Sequence, residues 1–303
     1  LFKFPAFKNY AVVEGEKIRL AGTTLYNTVK WFIPEDGIEL MMGKKRRKGT
    51  GGKMTEVMGA REIVVKPAGE FHASVMRREV LEYLRLPQGG CFVDCTLGLG
   101  GHTAGAAEQV GPGGRIVAID RDQQSLAVAQ RNLSAYADRI TFVHDDFRRL
   151  DQILEHLGIP AVDGLLFDLG ISSFQLDNPV RGFSFREEGP LDMRMDQDMC
   201  FSAFDLINAL SEKEISSILK IYGEERFHNR IARNLVQERK SHPIETTKEL
   251  SEIVLRALPA YYRRQKIHPA TRTFQAFRIA VNRELEALEL VLTKSLDLLK
   301  KGG

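Results

Sequence analysis

The sequence of 303 residues predicts an α/β fold built on a doubly wound, parallel sheet, followed by a mainly helical second half. Three observations predict this fold. Short apolar runs alternate with segments of helical periodicity between residues 71 and 169. Glycines or carboxylates follow these runs, at the edge where such sheets bind their ligands. Beyond residue 170 the alternation stops and helical patterns dominate.

Four apolar runs are the predicted strands, at residues 91–94, 115–120, 140–143 and 162–169. Between and before them, apolar residues recur at helical spacing, which predicts helices at about residues 75–86, 103–110, 125–137 and 150–157. Glycine- and proline-rich turns separate several of these elements. Because strands and helices alternate, we expect the strands to be parallel and the helices to cover both faces of the sheet.

The second half of the chain is predicted to be mainly helical. Residues 172–198 are rich in Gly, Pro and Asp and have no clear period, so they are interpreted as a loop. Two capping boxes, at residues 211–214 and 246–249, begin predicted helices, and a third apolar pattern lies at 227–235. A single long helix is predicted at about residues 271–301. We interpret the apolar stripes of these helices as core packing.

Composition excludes several classes of protein. Hydrophobic residues make up 43% and charged residues 27%, as in a globular protein with a substantial core. The three cysteines are too few for a disulfide framework and lack metal-site spacing, so we expect no metal and a reducing, cytoplasmic compartment. No apolar run is long enough to span a membrane, and the first residues lack a signal-peptide pattern.

The net charge of +3 is small, but the charge is unevenly distributed. Residues 221–283 contain thirteen Lys/Arg and six Asp/Glu in a segment with helical patterning. This surplus indicates either a solvated helix face or the electrostatic footprint of a nucleic acid. Five arginines each have two possible roles: a salt bridge that holds a loop in place, or a contact with a phosphate. They are Arg181, Arg186, Arg194, Arg272 and Arg278.

Both ends of the chain differ from its middle. Residues 1–68 are weakly patterned and are interpreted as an N-terminal extension of unknown role. Within them, residues 43–53 hold six Lys/Arg and four Gly, which indicates a linker or, alternatively, an RNA-contacting tail. The chain begins with Leu1 and stops at Gly303, just after the last predicted helix. We therefore expect a fragment from which the later strands of the core are missing.

A glycine turn after the first predicted strand is the first candidate binding site. Its sequence is Asp94-Cys95-Thr96-Leu97-Gly98-Leu99-Gly100-Gly101-His102. Asp120 ends the second strand, 20 residues beyond Gly100, where a carboxylate can accept hydrogen bonds from both hydroxyls of a ribose. The two features together predict a site for a nucleoside-containing cofactor.

Two cofactors are compatible with this pattern. A dinucleotide such as NAD requires the spacing G-x-G-x-x-G, whereas the spacing here is G-x-G-G. The acid Asp94 would also repel a pyrophosphate and attract a cation. S-Adenosylmethionine has a ribose, an ammonium and a sulfonium but no phosphate, so the residues favour it. A nicotinamide-dependent oxidoreductase remains the alternative.

Two further strand ends carry candidate residues. The third predicted strand ends in Asp145-Asp146-Phe147, where an acid and an aromatic ring could bracket an adenine, unless Phe147 is a buried loop residue. The fourth ends in Asp168, the candidate catalytic residue. Asp168 could accept the N–H of an exocyclic amine or contact the cofactor, and its sequence position fits both roles. Methyl transfer requires in-line positioning more than it requires a strong base.

Several long motifs resemble those of one family. They are HASV at 72–75, VDCTLGLGGH at 93–102, IDRD at 119–122, DLGISS at 168–173, RGFSF at 181–185, GPLDMRMD at 189–196, YGEE at 222–225 and HPATRTFQAFRIAVN at 268–282. Over about residues 71–303 the chain resembles the RsmH (MraW) family of 16S rRNA cytosine-N4 methyltransferases. The PLDMRMD and HPATRTFQA strings are long and peculiar to that family.

The resemblance implies a Rossmann-like class I methyltransferase core at residues 69–191 and 269–303, with a helical domain at 192–268 that helps to grip RNA. It implies S-adenosylmethionine as the cofactor. The implied substrate is the N4 amine of a cytidine in the decoding centre of 16S rRNA, in the small ribosomal subunit. The implied cofactor contacts are Gly100, Gly101, His102, Asp120, Phe147, Asp168 and Gln175.

Two questions stay open at this point. A non-catalytic RNA-binding or assembly factor with a vestigial pocket would have the same motifs, so it is kept as a second alternative. The sequence also does not distinguish a monomer from a homodimer.

Overall fold

The computed structural model describes residues 2–3, 10–14, 17–21, 74–264 and 266–303. The chain divides into two compact units, residues 1–63 and residues 64–303.

The described residues of the first unit form a small antiparallel sheet. Its strands, in the order β1-β2-β3, are β1 (Phe2–Lys3), β2 (Tyr10–Glu14) and β3 (Lys17–Ala21). The sequence patterning of the predicted N-terminal extension did not indicate these strands. The basic stretch predicted as a linker at residues 43–53, and the first two residues of the HASV motif, lie outside the described residues.

The second unit is built on a four-stranded sheet in which every strand pair is parallel. Its strands, in the order β6-β5-β4-β7, are β4 (Cys91–Asp94), β5 (Arg115–Asp120), β6 (Ile140–His144) and β7 (Gly164–Leu166). In register, Val93 lies between Val117 on one side and Leu165 on the other. The predicted parallel α/β sheet is confirmed, although β7 covers only three residues of the strand predicted at 162–169.

Alternate residues of the central strands enter two different cores. Phe92 and Ile116 pack with α1, α2 and α3 on one face, whereas Val93 and Val117 pack with α4 and α11 on the other. These helices are α1 (Arg77–Leu84), α2 (Gly101–Val110), α3 (Gln123–Asn132), α4 (Leu150–His156) and α11 (Glu284–Leu298). Because successive side chains of a strand point to opposite faces, strands covered on both faces are apolar throughout.

The strand order places a topological switch point beside β4. The chain proceeds from β4 to β5 and β6 on one side, and then returns to β7 on the other side of β4. The loops that follow β4 and β7 therefore lead away from each other at the carboxyl edge, and the crevice between them is where ligands of such sheets bind. The glycine turn follows β4, and Asp168 lies just beyond β7.

Between β7 and α11 the chain is mainly helical. Its helices are α5 (Ser173–Leu176), α6 (Ala203–Ala209), α7 (Glu212–Ile221), α8 (His228–Glu238), α9 (Thr247–Ala257) and α10 (Thr271–Asn282). Helices α6 to α10 share a hydrophobic core to which Leu219, Leu235 and Phe277 contribute fully buried side chains. The sheet and these helices belong to one unit, so the domain boundaries predicted at residues 192 and 268 remain predictions. Among the described helices none has the length and apolarity needed to cross a membrane.

The prediction of one long helix at residues 271–301 is wrong, because α10 and α11 are separate helices. Arg283 lies between them with a left-handed φ of 51°. The buried side chain of Asn282 donates to the carbonyl of Met193 at 2.7 Å and accepts from the N–H of Met195 at 2.8 Å. The apolar residues of α10 enter the helical core, whereas those of α11 cover the sheet. Sequence periodicity did not reveal the break because the apolar stripe continues across it.

Four helices of the second unit begin with a capping box, in which the first and fourth residues exchange hydrogen bonds between side chain and backbone. The two capping boxes predicted at residues 211–214 and 246–249 are confirmed. Two more lie at 172–175 and 202–205, in and beside the segment predicted as an irregular loop. The first of these begins α5, which has only four residues and is too short to show a helical period.

We expect Leu219→Ala to lower the free energy of unfolding by about 2–5 kcal/mol, because truncation leaves a cavity in the helical core. Urea unfolding followed by far-UV circular dichroism measures this change. Leu290→Ala, at a half-exposed position on α11, is the matched control and should lower stability much less than Leu219→Ala does. Equal losses in the two variants would contradict the assigned core.

Candidate functional site

The glycine turn connects β4 to α2 at the switch point. Gly98 and Gly100 have φ values of 54° and 88°, in the left-handed region that glycine adopts without steric cost. A Cβ atom at Gly100 would lie 2.7 Å from Cδ1 of Leu133, so the backbone packs closely on α3 at this point. Helix α2 begins directly at Gly101, which brings its unpaired N-terminal N–H groups to the same edge.

Asp120 ends β5 and holds the backbone of two turns. Its Oδ2 accepts from the N–H of Gly98 at 2.8 Å, and its Oδ1 accepts from the N–H of Asp122 at 2.8 Å. Burial raises the pKa of Asp120 to about 6 and outweighs the two hydrogen bonds, which lower it. Each oxygen keeps lone-pair capacity for a ligand hydroxyl. Asp120 therefore shapes the glycine turn and can also accept hydrogen bonds from a ribose.

Asp94 ends β4 and lies behind the glycine turn. Its side chain is buried, where Oδ2 accepts from the hydroxyl of Thr103 at 2.7 Å and Oδ1 accepts from the N–H of Thr96 at 3.2 Å. Burial raises the pKa of this carboxyl group, although both hydrogen bonds oppose the increase. Asp94 therefore contributes to the geometry of the glycine turn, and its buried carboxyl group presents no exposed surface to a ligand.

Asp168 and His102 face each other across the crevice. The Nε2 atom of His102 lies 3.7 Å from Oδ2 of Asp168, whose side chain is half exposed. The N–H of Asp168 donates to Oγ1 of Thr96 at 2.6 Å, which joins the loop after β7 to the glycine turn. His102 is buried, and its Nδ1 atom has no hydrogen-bond partner among the described residues. The carboxylate of Asp168 is thus accessible to a ligand, and the imidazole has an unused nitrogen.

Gln175 is buried at the start of α5, and both ends of its amide are engaged. Its Oε1 accepts from the N–H of Ser172 at 3.0 Å, and its Nε2 donates to Oδ2 of Asp122 at 2.7 Å. The side chain therefore bridges the loop after β7 and the start of α3. A direct contact between Gln175 and a cofactor stays a prediction.

A buried ion pair extends this bridge to the PLDMRMD segment. Fully buried Arg181 donates from Nη1 to Oδ2 of Asp122 at 2.8 Å. Its Nη2 donates to the carbonyls of Arg194 at 3.0 Å and Met195 at 2.9 Å. The other oxygen of Asp122 caps the N-terminus of α3. No local sequence pattern indicates this pair, because its partners are 59 residues apart.

Two further arginines form paired bonds within the protein. Arg194 binds Asp192 through two contacts of 2.8 Å. Arg278 binds Glu284 through contacts of 2.8 and 2.9 Å. Of the five arginines with two possible roles, Arg181, Arg194 and Arg278 therefore pin the chain, and a phosphate is not needed to explain their positions.

Phe147 is buried beside the sheet and packs edge-to-face on Phe167, with ring centroids 5.6 Å apart. The neighbouring Asp146 caps the following turn and lies 3.0 Å from Arg148 and 3.5 Å from Arg121. These two cations and the hydrogen bonds from Arg148 lower the pKa of Asp146, although burial opposes them. The structure thus places Phe147 in the core below the crevice, and its contact with an adenine stays a prediction.

The residues of the crevice fit S-adenosylmethionine better than a dinucleotide. Carboxylates lie at or just beyond the ends of three adjacent strands, at Asp94, Asp120 and Asp168. The glycine turn, residues 94–102, contains no Lys or Arg. This arrangement attracts an ammonium or sulfonium and repels a pyrophosphate. The lone pairs of Asp120 that the two N–H groups leave unused can accept from hydroxyl groups of the nucleoside.

Comparison with known proteins identifies similar chains. The model of the MraW methylase family matches residues 69–303, which include every candidate site residue. Three relatives bear the name ribosomal RNA small subunit methyltransferase H. The relative from Brevibacillus brevis is 48% identical over 232 residues, 77% of this chain and 74% of the relative. That from Pelobacter propionicus is 48% identical over 237 residues (78% and 76%), and that from Paenibacillus sp. is 47% identical over 238 residues (77% and 75%).

We expect Arg181→Met to lower the free energy of unfolding by about 3–5 kcal/mol, because Asp122 would remain as a buried, unpaired charge. Urea unfolding measures this loss. The double variant Asp122→Asn with Arg181→Met should be more stable than the single Arg181→Met variant, since it removes the unpaired charge.

Arg233→Met is the matched control. Arg233 lies on the surface, 3.6 Å from Glu212, and its removal should cost less than about 1 kcal/mol. A loss for Arg181→Met as small as this would show that the buried pair does not stabilise the unit.

Proposed function

The chain belongs to the MraW methylase family, and from this premise we propose that it methylates small-subunit ribosomal RNA, with S-adenosylmethionine as the methyl donor. The proposed acceptor is the N4 amine of a cytidine in the decoding centre of 16S rRNA. One observation supports the proposal most strongly: the glycine turn, Asp120 and Asp168 meet at the switch point of the sheet.

The proposed cofactor contacts follow from the polar groups of the crevice. Asp120 would accept the ribose hydroxyls, while Gly100 and Gly101 allow close approach of the nucleoside. His102 and Asp168 would face the cationic end. We keep Phe147 and Gln175 as proposed contacts, although their described bonds are internal to the protein.

The chemistry is a displacement at carbon. When bound, S-adenosylmethionine supplies a methyl group on a positively charged sulfur. The N4 amine of cytosine is a weak nucleophile because its lone pair is delocalised into the ring. Asp168, with its half-exposed carboxylate, would accept one N–H of the amine and orient the nitrogen toward the methyl carbon. As the nitrogen–carbon bond formed, the sulfur–carbon bond would break and leave a neutral thioether, and the nitrogen would release a proton to this carboxylate or to water. In its alternative role Asp168 contacts only the cofactor.

The RNA would be held by the helical part of the second unit. Residues 192–268 are the proposed substrate-recognition domain, and ten of the thirteen Lys/Arg of residues 221–283 fall within them. A cationic surface attracts the phosphates of RNA and shortens the search for the substrate. Small ribosomal subunits are cytoplasmic particles, so the proposed site of action is the cytoplasm.

The first test is transfer of a radiolabelled methyl group from S-adenosylmethionine to small subunits that lack the modification. We expect the label in 16S rRNA, and mass spectrometry of the digested RNA should place it on N4 of a cytidine. A non-catalytic assembly factor would bind subunits without transferring label. A melting temperature raised by NAD and unchanged by S-adenosylmethionine would contradict the proposed cofactor.

The second test is the pH dependence of cofactor binding. The pKa of Asp120 is about 6, and ribose hydroxyls donate more strongly to its ionised form, so affinity should fall as the pH drops through 6. Calorimetry should show near-maximal affinity at about pH 7.5 and a progressive loss as the pH falls below 6.

Asp120→Asn removes this titration, so its profile should be flatter than that of the native protein. Its affinity at about pH 7.5 should be weaker by about tenfold or more, because charge-assisted hydrogen bonds are lost. Asp138→Asn changes an exposed carboxylate and should leave the profile unaltered. If Asp120→Asn retained the native profile, Asp120 would not be the titrating group.

A further inference from the structure

The loop at residues 259–268, between α9 and α10, exposes an aromatic ring among cations. Tyr261 is 65% exposed, whereas the next residue, Tyr262, is buried. Arg263 and Lys266, on the same loop, are also exposed. This combination differs from the usual solvated helix face, because a large planar ring remains in water next to positive charges.

The described part of this loop is anchored to the protein at two points. The ring of Tyr262 packs edge-to-face on Phe227, with centroids 4.8 Å apart, and its hydroxyl accepts from Arg272 at 3.2 Å. The ring of His268 lies on Phe185, with centroids 4.5 Å apart and planes inclined by 33°. The exposed ring of Tyr261 is therefore carried by an anchored segment, which reduces the entropy that a ligand would have to remove.

The sequence around the loop is strongly positive. Residues 253–283 contain seven Lys/Arg and no Asp/Glu. Three of these cations bind carboxylates elsewhere: Arg256 with Glu238, Arg278 with Glu284 and Arg283 with Glu286.

The cations nearest the exposed ring differ from those three. In the described part of the chain, Arg263 and Arg272 donate to carbonyls and a phenol, and Lys266 has no ion-pair partner. Arg226 adds a further cation near Tyr262. The facing acids are exposed Glu224 and buried Glu225, so the surface keeps a positive excess.

We infer that the 259–268 loop binds single-stranded RNA, with a base stacked on Tyr261 and phosphates held by Arg263 and Lys266. Every base presents a flat face, and stacking on an aromatic ring needs a base that is not already paired within a duplex. Cations on the same loop as an exposed ring would attract the phosphates of an RNA strand. This inference rests on the proposed function and names the surface that would contact the nucleotides near the target.

The test is fluorescence anisotropy with the whole chain and a short, fluorescein-labelled, single-stranded RNA of mixed sequence. Tyr261→Ala should weaken binding about fivefold or more, as expected for the loss of one stacked base. Tyr261→Phe keeps the ring and should stay within about twofold of the native affinity. Tyr83→Ala removes a ring that is 69% exposed on α1, and it should leave binding unchanged.

The contribution of the charged residues is measured by the salt dependence of RNA binding. The double variant Arg263→Gln with Lys266→Gln should reduce the slope of log affinity against log salt by about 0.7 for each phosphate that the protein no longer neutralises. Lys213→Gln is the matched control, because exposed Lys213 lies between Glu212 and Glu214 and should leave the slope unaltered. All these positions are exposed, so melting temperatures should stay at the native value.

Unchanged RNA affinity in Tyr261→Ala, or an equal loss in Tyr83→Ala, would overturn the inference. So would competition by poly-glutamate as effective as that by unlabelled RNA, since that result would indicate a general surface for acidic polymers. The proposed function is tested separately by methyl transfer to small subunits. If the methyl group is transferred but Tyr261 plays no part in RNA binding, only the role of the loop is refuted. If the loop binds RNA but no methyl group is transferred, only the proposed enzymatic activity is refuted.

Discussion

The second unit depends on the burial of one ion pair, Asp122 with Arg181. Removing two charges from water costs several kcal/mol for each, and their attraction offsets this cost only when the remaining hydrogen-bonding groups are also satisfied. Here Asp122 caps α3 and accepts from Gln175, and Arg181 also binds two carbonyls of the PLDMRMD segment. The buried Nε of Arg181 has no hydrogen-bond partner among the described residues. Asn282 holds the same segment from the end of α10. One pair of charges therefore connects the sheet, the loop after β7 and the helical core.

The candidate site follows from the strand order combined with the charges at the strand ends. Reversal of the order at β4 opens a crevice, and the backbone around it is fixed by carboxylates. Asp120 holds the glycine turn, and Thr96 joins that turn to Asp168. The same carboxylates make the crevice negative, which favours a cationic nucleoside over a pyrophosphate. The raised pKa of Asp120, about 6, reflects the cost of burying this charge next to an open crevice.

The segment at residues 181–185 connects the crevice with the proposed RNA surface. Its first residue, Arg181, binds Asp122 beside the candidate cofactor site, and its last residue, Phe185, packs on His268 of the 259–268 loop. This short segment therefore contacts both regions, one at each of its ends.

The sequence by itself determined the parallel sheet, the glycine turn with Asp120, and two capping boxes, because strand burial, turn geometry and helix caps depend on neighbouring residues. The family followed from long motifs. The tertiary structure decided which residues meet over long separations: Arg181 with Asp122, the break at Arg283 that divides a continuous apolar stripe, and the internal bonds of Gln175. Such contacts depend on how distant elements pack, and no local periodicity or turn preference encodes the partner of a buried charge.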